Sequence, residues 1–124
     1  MKNLISIIEK LKISSNTKVY SKNDWSINKA EDGDFVCCLN DVFFIYKGLN
    51  KDVLKLHNID DNAIIYHASL YNNNVDIGPC SGVGTIDNNY EFRLMTDKEH
   101  QNFIEALNKK GYKWDEVNLK VIKK

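Results

Sequence analysis

The stretch from Tyr90 to Trp114 constrains this chain most, because its residues fix where a helix begins, which face it buries and where it stops. Thr96 and Glu99 have the spacing of a capping box. The Thr hydroxyl can accept from a first-turn N–H while the Glu carboxylate reaches back to the N–H of the cap residue. Asp97 and Glu99 sit where the helix dipole favours anions, and Lys109 and Lys110 where it favours cations. Gly111 falls just past the last turn, where a left-handed residue closes a helix and lets Tyr112 fold back on Leu107. Phe103, Ile104 and Leu107 form one apolar stripe, leaving Lys98, Gln101, Asn102, Glu105 and Asn108 to water. The stretch therefore reads as strand, capped helix, strand.

A chain of 124 residues fits a single domain, 1–124, that buries a core without disulfide staples. Seventeen basic residues balance seventeen acidic ones, so no overall field draws the protein to nucleic acid or to a membrane surface. No apolar run approaches the ~20 residues of a membrane span. Glu9, Lys10 and Lys12 interrupt the apolar N-terminal stretch, which does not read as a signal peptide. Three cysteines, Cys37, Cys38 and Cys80, make no disulfide framework, and a reducing cytoplasm is the expected setting. Lysine, asparagine and isoleucine abound while Arg93 is the only arginine and Pro79 the only proline, the bias of an AT-rich genome.

Along the chain, Leu4, Ile7, Ile8 and Leu11 predict an amphipathic helix over roughly 3–12. Lys18–Tyr20 and Trp25–Ile27 alternate over short spans. Phe35–Leu39 and Val42–Tyr46, joined at Asn40-Asp41, read as a hairpin at the sheet centre with both faces covered, and Gly48 as its end. Leu49–Leu56 is ambiguous. Ala63–Tyr71 is a long strand turned by Asn72–Asn74, with Val75–Ile77 pairing back. Gly78–Gly84 has the composition of a flexible loop. Thr85-Ile86 and Tyr90–Leu94 suggest another hairpin, and Leu119 with Val121 a last strand. The expected fold is α+β: a strongly bent antiparallel sheet or small open barrel flanked by an N-terminal and a C-terminal helix.

No catalytic constellation stands out. Cys80 in Gly-Pro-Cys-Ser-Gly could act as a nucleophile beside His57, His67 or His100, but a loop thiol without a role is the plainer reading. His67, mid-strand among apolar residues, reads as a hydrogen-bonded core or edge residue. Neither a metal nor a cofactor is expected: Cys37 and Cys38 point to opposite faces of a strand, and the calcium-loop fragments at Asp32–Asp34 and Asp60–Asn62 lack the bidentate Glu. Gly82, Gly84 and Arg93 are candidates for holding an anionic small molecule, since Arg clamps carboxylates and phosphates bidentately. An ion pair of Arg93 with Glu99 is the plainer alternative. The acidic middle of the chain offers Asp32, Asp34, Asp60 and Asp61 as a face for a basic partner protein.

The segment Phe92-Arg-Leu-Met-Thr-Asp-Lys-Glu, with Leu107 and Gly111-Tyr-Lys-Trp-Asp, resembles a C-terminal pattern of small uncharacterised accessory proteins of tailed bacteriophages and prophages. Asp32-Gly-Asp-Phe-Val and Phe44-Ile-Tyr-Lys47 are similar to their strand region. Met95 stands where alanine is usual and Lys98 where an acidic residue is common. The resemblance implies a phage or mobile-element accessory protein and carries no catalytic residue.

These readings converge on a non-enzymatic binding module that engages a host or phage protein and inhibits a host defence system. A homodimer through an exposed strand edge fits the same picture. The alternatives are a small-molecule binder for a nucleotide signal and, third, a weak nucleic-acid binder through the lysine-rich ends, where lysines alone give only salt-sensitive affinity.

Overall fold

A computed structural model describes residues 25–87 and 90–124. After a 3-10 turn at Ile27–Lys29 come strands β1 (Phe35–Cys38), β2 (Val42–Leu49), β3 (Ala63–Tyr71), β4 (Asn74–Thr85) and β5 (Phe92–Leu94). Helix α1 (Asp97–Lys109) and strands β6 (Tyr112–Asp115) and β7 (Lys120–Lys123) follow. The first four strands form an antiparallel meander, and β5 returns to lie beside β1, giving the order β4-β3-β2-β1-β5. The β6–β7 hairpin is a separate two-stranded sheet.

Both sheet faces are buried. Val36, Cys38, Phe44, Tyr46, Ile64, Tyr66 and Val83 line one face, packed by Trp25 and Ile27. Ile45 and Ala68 line the other, against Phe103 and Leu107 of α1 and Tyr112, Trp114 and Val121 of the hairpin. Double-sided burial explains why the central strands carry apolar runs without clean alternation.

The expected bent sheet or small barrel between two helices is corrected. The sheet is open, with β4 and β5 at opposite edges, and α1 is the only α-helix among the described residues. The helix expected over 3–12 lies outside the described residues. Closure would require β4 to pair with β5, as the expected Thr85–Leu94 hairpin would have arranged, but β5 pairs with β1 instead (Cys37↔Arg93, Cys38↔Phe92). Gly48 does not end its strand; β2 runs on through an irregularity in register to Leu49. The β1–β2 connection also differs, with Leu39 and Asn40 as its two left-handed residues (φ 55° and 62°).

The largest correction concerns residues 78–84, which form the body of β4 rather than a flexible loop. Their glycines belong to two bulges. Between the pairs Tyr66↔Cys80 and Ala68↔Ile77, β4 spends three residues against two of β3. Between Ala63↔Thr85 and Ile65↔Ser81 it spends four against two, and there Gly82 and Gly84 take φ of 142° and 100°. Gly78 is required for a different reason: a Cβ there would press on the Tyr66 carbonyl oxygen and come within 2.6 Å of the Cys80 nitrogen.

Helix α1 forms as its sequence dictates. The Thr96 hydroxyl accepts from Glu99 N–H at 3.2 Å and Glu99 Oε1 accepts from Thr96 N–H at 2.8 Å. Gly111 follows the helix at φ 97°.

Candidate functional site

Topology decides which candidate residues meet. The segment before β1, the connection between β2 and β3, and residues 86–87 just after β4 lie at one end of the antiparallel sheet, whereas Glu91, whose carbonyl accepts from Leu39 N–H, lies at the other. The turn of the β6–β7 hairpin reaches the first of these ends, because a Cβ on Gly33 would fall 2.8 Å from Leu119 and His67 packs edge-on against Trp114. Asp32, Asp34, Asp60 and Asp61, nearly thirty residues apart in sequence, are thereby gathered at one end. Over residues 30–34, 50–62 and 86–87, Glu31, Asp52 and Asp87 join them, against only Lys51 and Lys55.

Local hydrogen bonds hold this end in shape. Asp34 caps its own turn, its carboxylate accepting from Glu31 N–H at 2.9 Å. Asp60 does the same for Asn62 N–H at 2.8 Å, and Asn62 donates to the Asp87 carboxylate at 3.0 Å. The long connection is organised around Asn50, which is fully buried. Its side-chain amide donates to the carbonyls of Leu56, Ile59 and Asp60 at 3.0 to 3.3 Å, and its oxygen accepts from Leu56 N–H at 3.0 Å. One buried side chain thus replaces the secondary structure that residues 50–62 lack.

Asp32 is tied to the body of the fold. The buried His67 donates from Nε2 to Asp32 Oδ1 at 2.6 Å, since the carboxylate can only accept. Burial holds the imidazole below its usual pKa even though Asp32 pulls the other way. Asp32 remains 44% exposed on its outer side, so it reaches solvent while anchored. Two apolar side chains stand out among these carboxylates: Leu56, 43% exposed, and Val117 at the hairpin tip, 89% exposed.

The anion-binding set is not assembled. Arg93 lies on β5 at one edge of the sheet, whereas Gly82 and Gly84 lie on β4 at the other, with three strands between. Arg93 makes a bidentate pair with Glu99, Nη1 to Oε1 at 2.7 Å and Nη2 to Oε2 at 2.8 Å, and its Nε donates to Asn40 at 3.1 Å. The guanidinium is the main reason why the Glu99 carboxyl is held down at about 2.

Cys80, the candidate nucleophile, faces the side of the sheet away from His67. Cys80 stands opposite Tyr66 on β4, and the Tyr66 hydroxyl donates to the Asp76 carboxylate in a very short hydrogen bond. Burial, then the Asp76 bond, push the Tyr66 phenol well above its ordinary range. His67 serves the opposite face, and His100 stacks on Phe35 at 4.0 Å between ring centroids. Cys37 and Cys38 are buried, and burial raises both thiols, Cys38 to about 11. No group of three or more His, Cys, Asp or Glu among the described residues could hold a metal ion. No helix among them is long and apolar enough to cross a membrane.

Sequence reasoning missed Asn50, Leu56 and Val117. Nothing in the local pattern marks Asn50 as buried. Val117 follows Asp115 and Glu116 in a polar turn, where a lone exposed β-branched residue was the available signal. Comparison with protein-family models, with curated proteins and with solved structures gives no match.

Proposed function

We propose that this protein is a non-enzymatic binding module whose acidic end engages a basic partner protein. The observation that carries the reading is the placement of Asp32, Asp34, Asp60 and Asp61 at the same end of the fold as the exposed side chains of Leu56 and Val117. Carboxylates alone would give a diffuse, salt-screened attraction. Apolar side chains set among them add a desolvated contact at which affinity concentrates, while the charges steer and orient the partner. The anchoring of Asp32 on His67 and of residues 50–62 on Asn50 supports the reading too, since a surface held in its bound shape loses less entropy on association.

The edges of the sheet favour loops over strand pairing as the means of contact. β5 is three residues long, and β4 is interrupted by two bulges and Pro79, the features by which natural sheets discourage edge pairing. The resemblance of the C-terminal pattern and of the strand segments 32–36 and 44–47 to phage accessory proteins supports a partner met in an infected bacterial cell, a host defence protein among them.

Affinity capture from bacterial lysate tests this, comparing the parent protein with Asp60→Lys/Asp61→Lys and with Val117→Asp. A basic protein retained by the parent and lost from both variants is the expected result. Identical retention by all three would refute the assignment of this end.

A further inference from the structure

The apolar layer on the sheet face away from α1 does not stop at its buried core. At the end opposite the acidic loops it runs out into water. Directly opposed residues of antiparallel strands share a face. Tyr71 is opposed to Val42, Val42 to Cys38 and Cys38 to Phe92, so these four form a row across β3, β2, β1 and β5. Cys38 is buried in that face, with Val42 and Phe92 packed against the same core. Tyr71 ends the row 49% exposed, and beyond Phe92 the ring of Tyr90, 47% exposed, lies 6.4 Å from the Phe92 ring between centroids. Leu39, 50% exposed, sits beside them, its N–H donating to Glu91 O at 2.9 Å. We infer that this row is a docking surface for a short basic segment of a partner protein, one that lays apolar side chains on the tyrosines and sets a lysine or arginine against Asp41 or Asp76.

Single exposed apolar residues are ordinary, whereas a contiguous set marks a binding surface. This set has firm support, because the fully buried Phe44 meets the Phe92 ring edge-on at 6.4 Å. A tyrosine held against a sheet offers a large apolar contact with few rotamers to freeze and a hydroxyl that stays wet, the combination on which binding energy concentrates. The neighbouring turns, by contrast, are Asn40-Asp41 and Asn72–Asn74, polar as exposed turns ordinarily are.

Size and charge choose the occupant. A folded partner or a second copy of the chain needs ~800 Å² on each side, roughly twenty residues. The side chains of Leu39, Val42, Tyr71, Tyr90 and Phe92 supply much less. The row crosses three strand spacings, about 15 Å, the length of roughly four or five extended residues, so a short segment fits it. Over residues 39–42, 70–76 and 90–92 the charged residues are Asp41, Asp76 and Glu91, with no lysine, arginine or histidine. Asp76 belongs to this face, since the Tyr66 hydroxyl donates to it, and Asp41 lies in the turn between Leu39 and Val42. Helix α1, with Lys109 in its last turn, covers the other face. A cationic segment is therefore drawn to the row and an acidic one repelled.

A random heptapeptide library displayed on phage is panned against the full chain, and the enriched peptides are synthesised and titrated while backbone amide resonances are followed. Peptides combining aromatic or aliphatic residues with lysine or arginine are expected, and they should shift Leu39, Val42, Tyr71 and Phe92 saturably. Affinity should fall about tenfold or more in Tyr71→Ser/Tyr90→Ser, whose positions are half-exposed, and hold at the parent value in Glu105→Gln, an exposed carboxylate of α1. Failure to enrich any sequence, enrichment of acidic peptides, or equal binding by the tyrosine variant would overturn the inference. Shifts confined to Asp32, Asp60 and Asp61 would assign the peptides to the acidic end and overturn it too. So would a concentration-dependent dimer of the parent that the tyrosine variant abolishes, since a second copy would then be the occupant.

Discussion

Replacing Glu99 by Gln isolates the charged pair that joins β5 to α1. Gln keeps the side-chain length and an oxygen able to accept from Thr96 N–H, so the capping box survives. What disappears is the ionic part of the bidentate contact with Arg93. That contact is the largest cause holding the Glu99 carboxyl at about 2 rather than its ordinary 4.5, with burial opposing it and Thr96 assisting. Taken at face value, such a displacement would contribute roughly 3 kcal/mol of folding stability. Arg93 is 40% exposed, however, and solvent screening brings the expected loss in Glu99→Gln to about 1 kcal/mol at neutral pH. Because the folded-state carboxyl is the stronger acid, this stabilisation is complete above about 4.5 and is lost as pH falls towards 2. Urea denaturation of parent and variant at pH 7, 5, 4 and 3 should therefore show curves that converge on acidification, the other carboxylates cancelling in the difference. Arg93→Gln should cost a similar amount, and the double variant little more than either. A gap that stays constant with pH, or one below about 0.3 kcal/mol at pH 7, would refute the assignment of the shift to this pair.

Two glycine substitutions separate conformational from steric requirements. A Cβ on Gly111 would meet nothing within 4 Å, so Gly111→Ala should cost only the left-handed strain, about 1 kcal/mol by chemical denaturation. Gly78→Ala should cost more, about 2 to 3 kcal/mol, because its Cβ collides with backbone of β3 and of its own strand; equal losses at the two positions would contradict this account. Asn50→Ala should destabilise by roughly 2 to 4 kcal/mol, leaving one N–H and three carbonyls of residues 56–60 without their partner. Hydrogen exchange at Leu56 should rise well above that of the β3 core in the variant, and unchanged protection there would count against Asn50 as the organiser of the connection.

Local signals and partner-dependent ones account for what the sequence disclosed. α1 was legible down to its cap and stop because Thr96, Glu99 and Gly111 act within a few residues of one another. The Phe35–Tyr46 hairpin and the Ala63–Tyr71 strand were legible for the same reason. β4 was not, since a glycine- and proline-rich run becomes a strand only where a neighbour's backbone demands bulges, as β3 does here. Nor could Phe92–Leu94 announce that it pairs with β1 across the sheet, because three residues carry no address for their partner. For the candidate site, the charges were visible but their meeting place was not; Asn50 was invisible in both respects, and Val117 showed only as a lone β-branched residue in a polar turn. One step was nonetheless within reach. In an antiparallel meander, alternate connections share an end, so a turn before β1 and a loop between β2 and β3 must come together while the β1–β2 and β3–β4 turns go to the other end. Once Phe35–Tyr46 and Ala63–Tyr71 are accepted as successive strands, Asp32 and Asp34 fall beside Asp60 and Asp61 by topology alone. The same rule sends Asn73 to the end where α1, begun beside β1 through the bond of Met95 N–H to Phe35 O, must finish with its lysines. The separation of an acidic end from the lysines ending α1 is thus a consequence of where the charges lie along the meander, and it needs no long-range pairing of charges to produce it.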